Sequence, residues 1–232
     1  MRAIDALRLV GGGDAGTPAV TYLDSFDVSA NITSLGGFEY LSGYFWIVDR
    51  TRNVVAKYSS VFGYVSEFDI SGQRTGAESI TNDGTNLHVL HQWCGEATAL
   101  YVYNTSGVLQ SSITSWDATV SNAIVYNSPY YYVQIYSNSG IIHQYSSGNN
   151  TGTTWDLDMT NLYDITYIGG FYYVTGQNIY IKKYNSSFVL VDSISHGLYS
   201  CSSITNDGSF LYANGKLTST DDRLTIYKYD LF

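Results

Sequence analysis

The sequence predicts an all-β fold in which one four-stranded unit is repeated five times. The 232 residues include 23 tyrosines, 22 glycines and only 2 prolines. This composition favours pleated strands joined by tight turns. Two identical tetrapeptides, Thr81–Gly84 and Thr205–Gly208, reveal an internal repeat. Similar segments recur at intervals of 39 to 44 residues, close to the length of one four-stranded unit.

The first two strands of each unit, A and B, form a predicted hairpin. Five segments align without a gap: GFEYLSGYF (37–45), SITNDGTNL (79–87), AIVYNSPYY (123–131), DITYIGGFY (164–172) and SITNDGSFL (203–211). Asp-Gly or Gly-Gly at the centre of several of them is typical of two-residue hairpin turns. One apolar residue of strand A, here called the anchor, occupies the same position in every unit: Phe38, Ile80, Ile124, Ile165 and Ile204.

Strands C and D follow each hairpin. Strand C ends in tyrosine in all five units: VVAKY (54–58), LYVY (100–103), IIHQY (141–145), IYIKKY (179–184) and LTIYKY (224–229). Strand D ends near four large apolar residues: Phe68, Ile113, Trp155 and Ile194. Four strands in about 40–45 residues indicate the blade of a β-propeller.

A segment near the N-terminus can close the predicted ring of blades. The fifth unit has no strand D, but residues 20–27 (VTYLDSFD) precede the first unit and resemble the strand D at 64–69. We therefore expect the N-terminal strand to complete the last blade, because closure removes exposed sheet edges. The predicted domain covers 18–232, after an arm or linker at 1–17. Its blades are expected at 34–71, 76–116, 120–156, 161–195, and 200–232 together with 18–28.

These repeats resemble the β-propeller repeat superfamily over about residues 18–232. The run Asp207–Tyr212 has the Asp-Gly-x-x-Leu-Tyr pattern of NHL-like propellers, and Trp155-Asp156 is similar to the Trp-Asp pair of WD40 blades. The Gly-His partner of that pair is not repeated as a set. The resemblance implies an architecture and no particular activity.

Charge and composition exclude several function classes. The formal net charge of −9 repels nucleic acid and anionic lipid, and no apolar run approaches the roughly 20 residues of a membrane span. The N-terminus is not typical of a signal peptide, because Asp5 and Arg8 interrupt its apolar stretch. Two cysteines, Cys94 and Cys201, provide no disulfide framework. We expect neither a metal site nor a cofactor.

Loop lengths indicate which face binds. The A–B and C–D connections are constant in length, whereas the B–C and D–A connections vary and emerge on the same face of an up-and-down blade. Variable insertions on one face of a repeat array often mark the binding surface. The polar and aromatic residues expected there are Asp49, Arg50, Arg52, Arg74, His91, Trp93, Glu96, Trp116, Asp117, Asn161, His196, Tyr199, Asp222 and Arg223. A solvated rim without a ligand is the alternative for any one of them.

Three carboxylates fall on inner strands. A pair of them could act as the acid and nucleophile of a glycoside hydrolase, but Glu39, Glu78 and Asp164 lie at different offsets from their anchors and need not converge. His91 and Cys94 are close in sequence, yet an ordinary loop is the simpler interpretation. We assign no catalytic residue.

The sequence therefore predicts a non-catalytic recognition or decoration propeller of a virion or cell surface. Its expected partner is a glycan or a surface protein, because aromatic rings beside forked polar groups suit both. The N-terminal arm could contact a neighbouring subunit. The alternatives are a propeller-type glycoside hydrolase or lyase and an intracellular protein-interaction scaffold.

Overall fold

The computed structural model of the chain describes residues 21–92, 98–114, 121–135, 140–159, 161–176, 180–219 and 224–230. Within these ranges, twenty strands form five four-stranded antiparallel sheets. The predicted all-β, five-bladed propeller is confirmed. The described part of the chain has no helix long and apolar enough to cross a membrane.

In blades 1 to 4, the strands follow the chain from the channel outward. Blades 1 and 2 consist of β2 (Leu35–Leu41), β3 (Tyr44–Asp49), β4 (Val54–Ser59), β5 (Tyr64–Asp69), β6 (Ala77–Asn82), β7 (Leu87–His91), β8 (Ala99–Tyr103) and β9 (Leu109–Ile113). Blades 3 and 4 consist of β10 (Ser121–Asn127), β11 (Tyr130–Ile135), β12 (Ile141–Ser146), β13 (Asn149–Asp156), β14 (Leu162–Ile168), β15 (Phe171–Gly176), β16 (Tyr180–Asn185) and β17 (Leu190–Ser195).

Blade 5 joins the two ends of the chain. It consists of β18 (Ser200–Asn206), β19 (Phe210–Lys216), β20 (Thr225–Asp230) and, as its outer strand, β1 (Thr21–Asp27). The antiparallel pairing runs from Thr21 opposite Asp230 to Asp27 opposite Thr225. This pairing confirms that the N-terminal strand closes the ring.

The hydrophobic core lies between neighbouring blades. Trp46 of blade 1 and Tyr101 of blade 2 belong to one buried cluster, and Phe45 of blade 1 packs edge-on against Tyr212 of blade 5 with ring centroids 4.6 Å apart. The five anchors are all buried: Phe38, Ile80, Ile124, Ile165 and Ile204. The apolar anchors therefore join the blades, and polar neighbours on the inner strands are left to line the channel.

The two faces of the ring differ in their connections. The inner strands β2, β6, β10, β14 and β18 begin at the end of the molecule that carries the B–C and D–A connections, here called the loop face. They end at the A–B hairpins, on the opposite end, here called the turn face. Asp83 shapes one hairpin by accepting hydrogen bonds from the main-chain N–H groups of Thr85 and Asn86, at 2.9 and 2.7 Å.

Each inner strand is irregular at its loop-face end. The pairing with the second strand skips a step between Leu35 and Phe38, Ala77 and Ser79, Ser121 and Ala123, Leu162 and Asp164, and Cys201 and Ser203. Side chains of a regular strand alternate between its two sides, and a bulge breaks this alternation. Two successive residues of an inner strand can therefore both reach the channel.

Candidate functional site

The loop-face end of the central channel opens into a polar cavity of about 250 Å³, here called the loop-face cavity. Except for Arg50, every lining residue is one of the two residues before an anchor, so the bulges supply the wall. The lining residues are Gly36, Gly37, Arg50, Glu78, Ser79, Asn122, Tyr163, Asp164, Ser202 and Ser203.

Asp164 forms the floor of this cavity and connects blades. It is 4% exposed and accepts main-chain N–H hydrogen bonds from Ile165 and Ile204, both at 3.0 Å. The Ser79 hydroxyl donates to it across the channel at 3.4 Å. Burial raises the pKa of Asp164 well above its ordinary value; the hydrogen bonds oppose this shift, and the charge of Glu39 adds to it.

Glu78 and Arg50 form an ion pair at the cavity rim. The Arg50 Nε lies 2.9 Å from a Glu78 carboxylate oxygen, with side-chain exposures of 42% and 22%. Burial raises the pKa of Glu78, and the positive charge of Arg50 opposes that shift. Because the pair remains in contact with solvent, it presents both a donor fork and a carboxylate to a ligand.

The other end of the channel opens into a smaller cavity of about 160 Å³, here called the turn-face cavity. Its lining residues all follow an anchor: Glu39, Tyr40, Thr81, Asn82, Val125, Tyr126, Thr166, Tyr167 and Asn206. Glu39 accepts a hydrogen bond from the Thr205 hydroxyl at 2.6 Å and another from the Tyr40 N–H at 2.9 Å. Burial raises the pKa of Glu39 to about 7, against the effect of these hydrogen bonds.

Two of the three inner-strand carboxylates, Glu78 and Asp164, come together. Glu78 and Asp164 line the same cavity, and Glu39 lies far enough along the channel to line the other one. The channel is narrow enough for the Ser79 hydroxyl of blade 2 to reach Asp164 of blade 4. Glu78 and Asp164 therefore share a cavity, whereas the offset of Glu39 places it in the other one. Among the described residues, no three metal-ligating side chains are grouped to hold a metal ion.

Of the described candidates from the sequence, Arg50 alone lines the loop-face cavity. Asp49 is fully buried and accepts N–H hydrogen bonds from Thr33 at 2.7 Å and from Thr51 at 3.0 Å, so it shapes the connection instead of facing a ligand. Arg52 pairs with Glu67 and donates to the Asn31 carbonyl oxygen. Both residues serve the local structure of blade 1.

The two histidine candidates are buried. His91 packs edge-on against Tyr101 with ring centroids 5.0 Å apart, and burial lowers its pKa to about 4. The ring nitrogen of His196 accepts the Leu198 N–H at 3.0 Å, and its carbonyl oxygen accepts the Tyr229 hydroxyl at 2.9 Å. Both buried rings therefore contribute to packing and local hydrogen bonding and do not face a ligand.

The remaining candidates lie outside the cavity or outside the described residues. Arg74 and Asn161 are half-buried and engaged with their surroundings, whereas Tyr199 is 60% exposed. Six candidates lie outside the described residues and stay predictions: Trp93, Glu96, Trp116, Asp117, Asp222 and Arg223.

Sequence reasoning singled out Arg50, Glu78 and Asp164 but missed the rest of the cavity wall. Glu78, Asn122 and Tyr163 each stand two residues before an anchor, so they share one column of the repeat alignment. That column is polar in four of five units. In a regular strand, residues two apart lie on the same side, so the column should be as buried as the anchor. This mismatch was the available signal for a bulge that turns the column toward the channel.

Comparison with known proteins supports the fold and no narrower family. No protein-family model matches the chain, and no curated protein matches it. A crystal structure of glutaminyl cyclase from Myxococcus xanthus superimposes with a TM-score of 0.73 at 11% identity, covering 91% of this chain and 95% of that one. The chain is a five-bladed β-propeller. The WD40 repeats of RRP9 also match this propeller, with a TM-score of 0.55 at 6% identity and coverage of 92% and 100%. At such identities the likeness shows a shared fold.

Proposed function

We propose that this propeller is a non-catalytic recognition module that binds a sugar unit of a surface glycan in its loop-face cavity. A five-bladed ring is a general scaffold for binding proteins or ligands at its channel and loops. The observation that carries the narrower proposal is the polar wall that five bulged strands build around one cavity. The proposed setting is a virion or cell surface.

The chemistry of the wall favours a ligand rich in hydroxyl groups. Arg50 offers a fork of N–H donors, Glu78 a carboxylate, and Asn122 both a donor and an acceptor. Tyr163 adds a half-buried ring that could cover the C–H face of a sugar. Pockets for typical drug-sized molecules are mostly apolar, so this wall is poorly suited to an apolar ligand.

The size of the cavity supports one sugar unit and not a long chain. A volume of about 250 Å³ equals the space of roughly eight water molecules in the liquid. A glycan would place a terminal unit in the cavity and extend over the loop face, where Tyr199 is exposed. A nucleic acid would be repelled by the net charge of −9.

A glycan array tests the proposal, with a matched pair of variants as the follow-up. Tyr163→Leu removes the ring in the loop-face cavity, and Tyr126→Leu makes the same change in the turn-face cavity. We expect Tyr163→Leu to weaken binding of the best array ligand by about 10- to 100-fold, as loss of a hot-spot aromatic does, and Tyr126→Leu to leave it unchanged. Folded wild-type protein that binds no glycan, or a Tyr163→Leu variant that binds normally, would refute the proposal.

A glycoside hydrolase is the second candidate, because Glu78 and Asp164 line one cavity and burial raises the pKa of both. The hydrogen bonds of Asp164 argue against a hydrolase, because both of its carboxylate oxygens already accept hydrogen bonds from main-chain N–H groups or from Ser79. Hydrolysis of aryl glycosides by wild-type protein, abolished in Glu78→Gln, would favour the hydrolase over the recognition module.

A further inference from the structure

The turn-face cavity is rich in hydrogen-bond acceptors. The side-chain amide of Asn206 donates to the Thr166 hydroxyl at 2.8 Å and to the Tyr167 carbonyl oxygen at 3.2 Å. The amide of Asn82 donates to the Tyr40 carbonyl oxygen at 3.3 Å and hydrogen-bonds Glu39. An amide nitrogen has two hydrogens, so both amides have used their donors on neighbouring blades.

The hydroxyl and carboxylate oxygens of the cavity keep acceptor capacity. The Thr81 hydroxyl accepts the Tyr126 N–H at 3.0 Å, and the Thr166 hydroxyl accepts the amide of Asn206. A hydroxyl oxygen has two lone pairs and a carboxylate about four, so Thr81, Thr166 and Glu39 can each accept a further hydrogen bond. A ligand that donates several hydrogen bonds matches this cavity.

The cavity also holds a buried carboxyl group, Glu39, that carries a negative charge when it ionises. Glu39 is 8% exposed, and the ion pairs of the described residues join Arg50 with Glu78, Arg52 with Glu67 and His88 with Asp83. None of those pairs reaches Glu39. Because buried charges are normally paired, a cation that enters the cavity would gain the attraction of the Glu39 carboxylate.

Aromatic rings complete the wall. Tyr40, Tyr126 and Tyr167 occupy the same position of β2, β10 and β14 and all line the cavity. Each ring packs against an aromatic ring of the next strand, with centroids 5.0, 4.9 and 4.8 Å apart. Rings fixed in this way can stabilise a nearby ammonium group through cation–π attraction.

We propose that the turn-face cavity binds a primary ammonium group on a slim alkyl chain, either a lysine side chain of a partner protein or a free alkylamine. Three N–H donors face the Glu39 carboxylate and the hydroxyls of Thr81 and Thr166, while the alkyl chain passes between the tyrosines. The volume of about 160 Å³ equals roughly five water molecules, which fits a chain of a few carbons.

Binding should depend on pH, because the site requires an ionised Glu39. The ionisable groups that share the channel with Glu39 are the phenols of its own cavity, Tyr40, Tyr126 and Tyr167, and Asp164, Glu78, Arg50 and Tyr163 of the loop-face cavity. With a pKa of Glu39 at about 7, the ionised fraction rises from about one tenth at pH 6 to about nine tenths at pH 8. The dissociation constant should therefore be several-fold to tenfold larger at pH 6 than at pH 8.

Calorimetric titration of the whole chain with n-butylammonium chloride at pH 8 tests the site, with n-butanol as the uncharged probe. We expect saturable binding of one n-butylammonium per chain and none of n-butanol. Glu39→Gln should weaken the binding at least tenfold, and Glu78→Gln, at the opposite end of the channel, should leave it unchanged. Equal binding of the two probes, or full binding to Glu39→Gln, would overturn the proposal.

A second pair of variants keeps the test decisive if Glu39→Gln does not fold. Tyr126→Leu should weaken n-butylammonium binding several-fold, whereas Tyr163→Leu should retain it. A peptide with blocked termini and one lysine, whose side-chain ammonium is free, separates the two sources. Binding of the peptide supports a protein partner, and binding of n-butylammonium alone supports a free amine. Folded wild-type protein that binds neither probe would refute the site.

Discussion

At the scale of single residues, the same residue type does different work depending on its place in the blade. Asp49 and Asp83 hold connections by accepting main-chain N–H groups, whereas Asp164 joins blades across the channel. Glu39 is buried beside a cavity, and Glu78 lies at a solvated rim. Solvation and partners therefore decide which carboxylates are free to meet a ligand.

Gly84 should be required for its backbone conformation alone. Its φ is +87°, and an added Cβ would have no atom within 4 Å, so any cost comes from the left-handed conformation. We expect Gly84→Ala to lower the free energy of unfolding by about 1–2 kcal/mol. Gly72 has equally open surroundings without a positive φ, so Gly72→Ala should be close to neutral. Denaturant unfolding of both variants checks this, and equal losses would contradict it.

Glu39 should make the stability of the protein fall as pH rises. Its pKa is about 7 in the folded chain against an ordinary 4.5, so the folded state binds more protons between these values. The contribution of Glu39 to the free energy of unfolding is fully present below pH 4.5 and is lost as pH rises through 7. The stability of Glu39→Gln relative to wild type should increase by up to about 3 kcal/mol over that range. Denaturant unfolding at pH 5 and pH 8 measures the change, and an unchanged difference would contradict it.

At the scale of strands, position in the blade decides what a strand contributes. Inner strands combine a buried anchor with channel-facing polar residues, and they bulge where the loop-face cavity forms. The outer strand β5 is largely exposed, as is β1. An outer strand therefore contributes little core, and its main role is to cover the edge of the strand beside it.

Removing β1 should lower the stability of the propeller far more than the exposure of its side chains suggests. Deleting residues 1–28 leaves β20 as an uncovered edge, which is a template for aggregation, and opens the ring. We expect the melting temperature to fall by about 10 °C or more, as a loss of several kcal/mol implies at this chain length. Deleting residues 1–14 spares β1 and should change melting little. If both truncations melt alike, closure by β1 does not stabilise the ring.

At the scale of the whole molecule, the ring produces two unlike openings of one channel. The loop-face cavity presents an ion pair, an amide and a ring, whereas the turn-face cavity presents acceptors around a buried carboxylate. The two cavities share no lining residue, so the paired variants at Tyr163 and Tyr126 each change the wall of one cavity only. The net charge of −9 should favour the approach of a cationic partner at low salt.

The sequence by itself determined the class of fold, the number of blades and the closing strand. Strand alternation, Asp-Gly turns and the repeat length are local or periodic signals, so they can be recognised without knowing which strands pack together. The missing outer strand of the last repeat and the unassigned segment at residues 20–27 then left one way to close the ring, which the pairing of β1 with β20 confirms.

The tertiary structure decided which side chains meet. Glu78, Asn122 and Tyr163 come from three blades and share a cavity only because each inner strand bulges and the ring brings the strands to one axis. The sequence predicted Asp49 and His91 in the variable connections, where a ligand site was expected, but they are the last residues of β3 and β7 and are fully buried. Burial depends on what the neighbouring strands and connections cover, which a residue's own sequence neighbours do not specify.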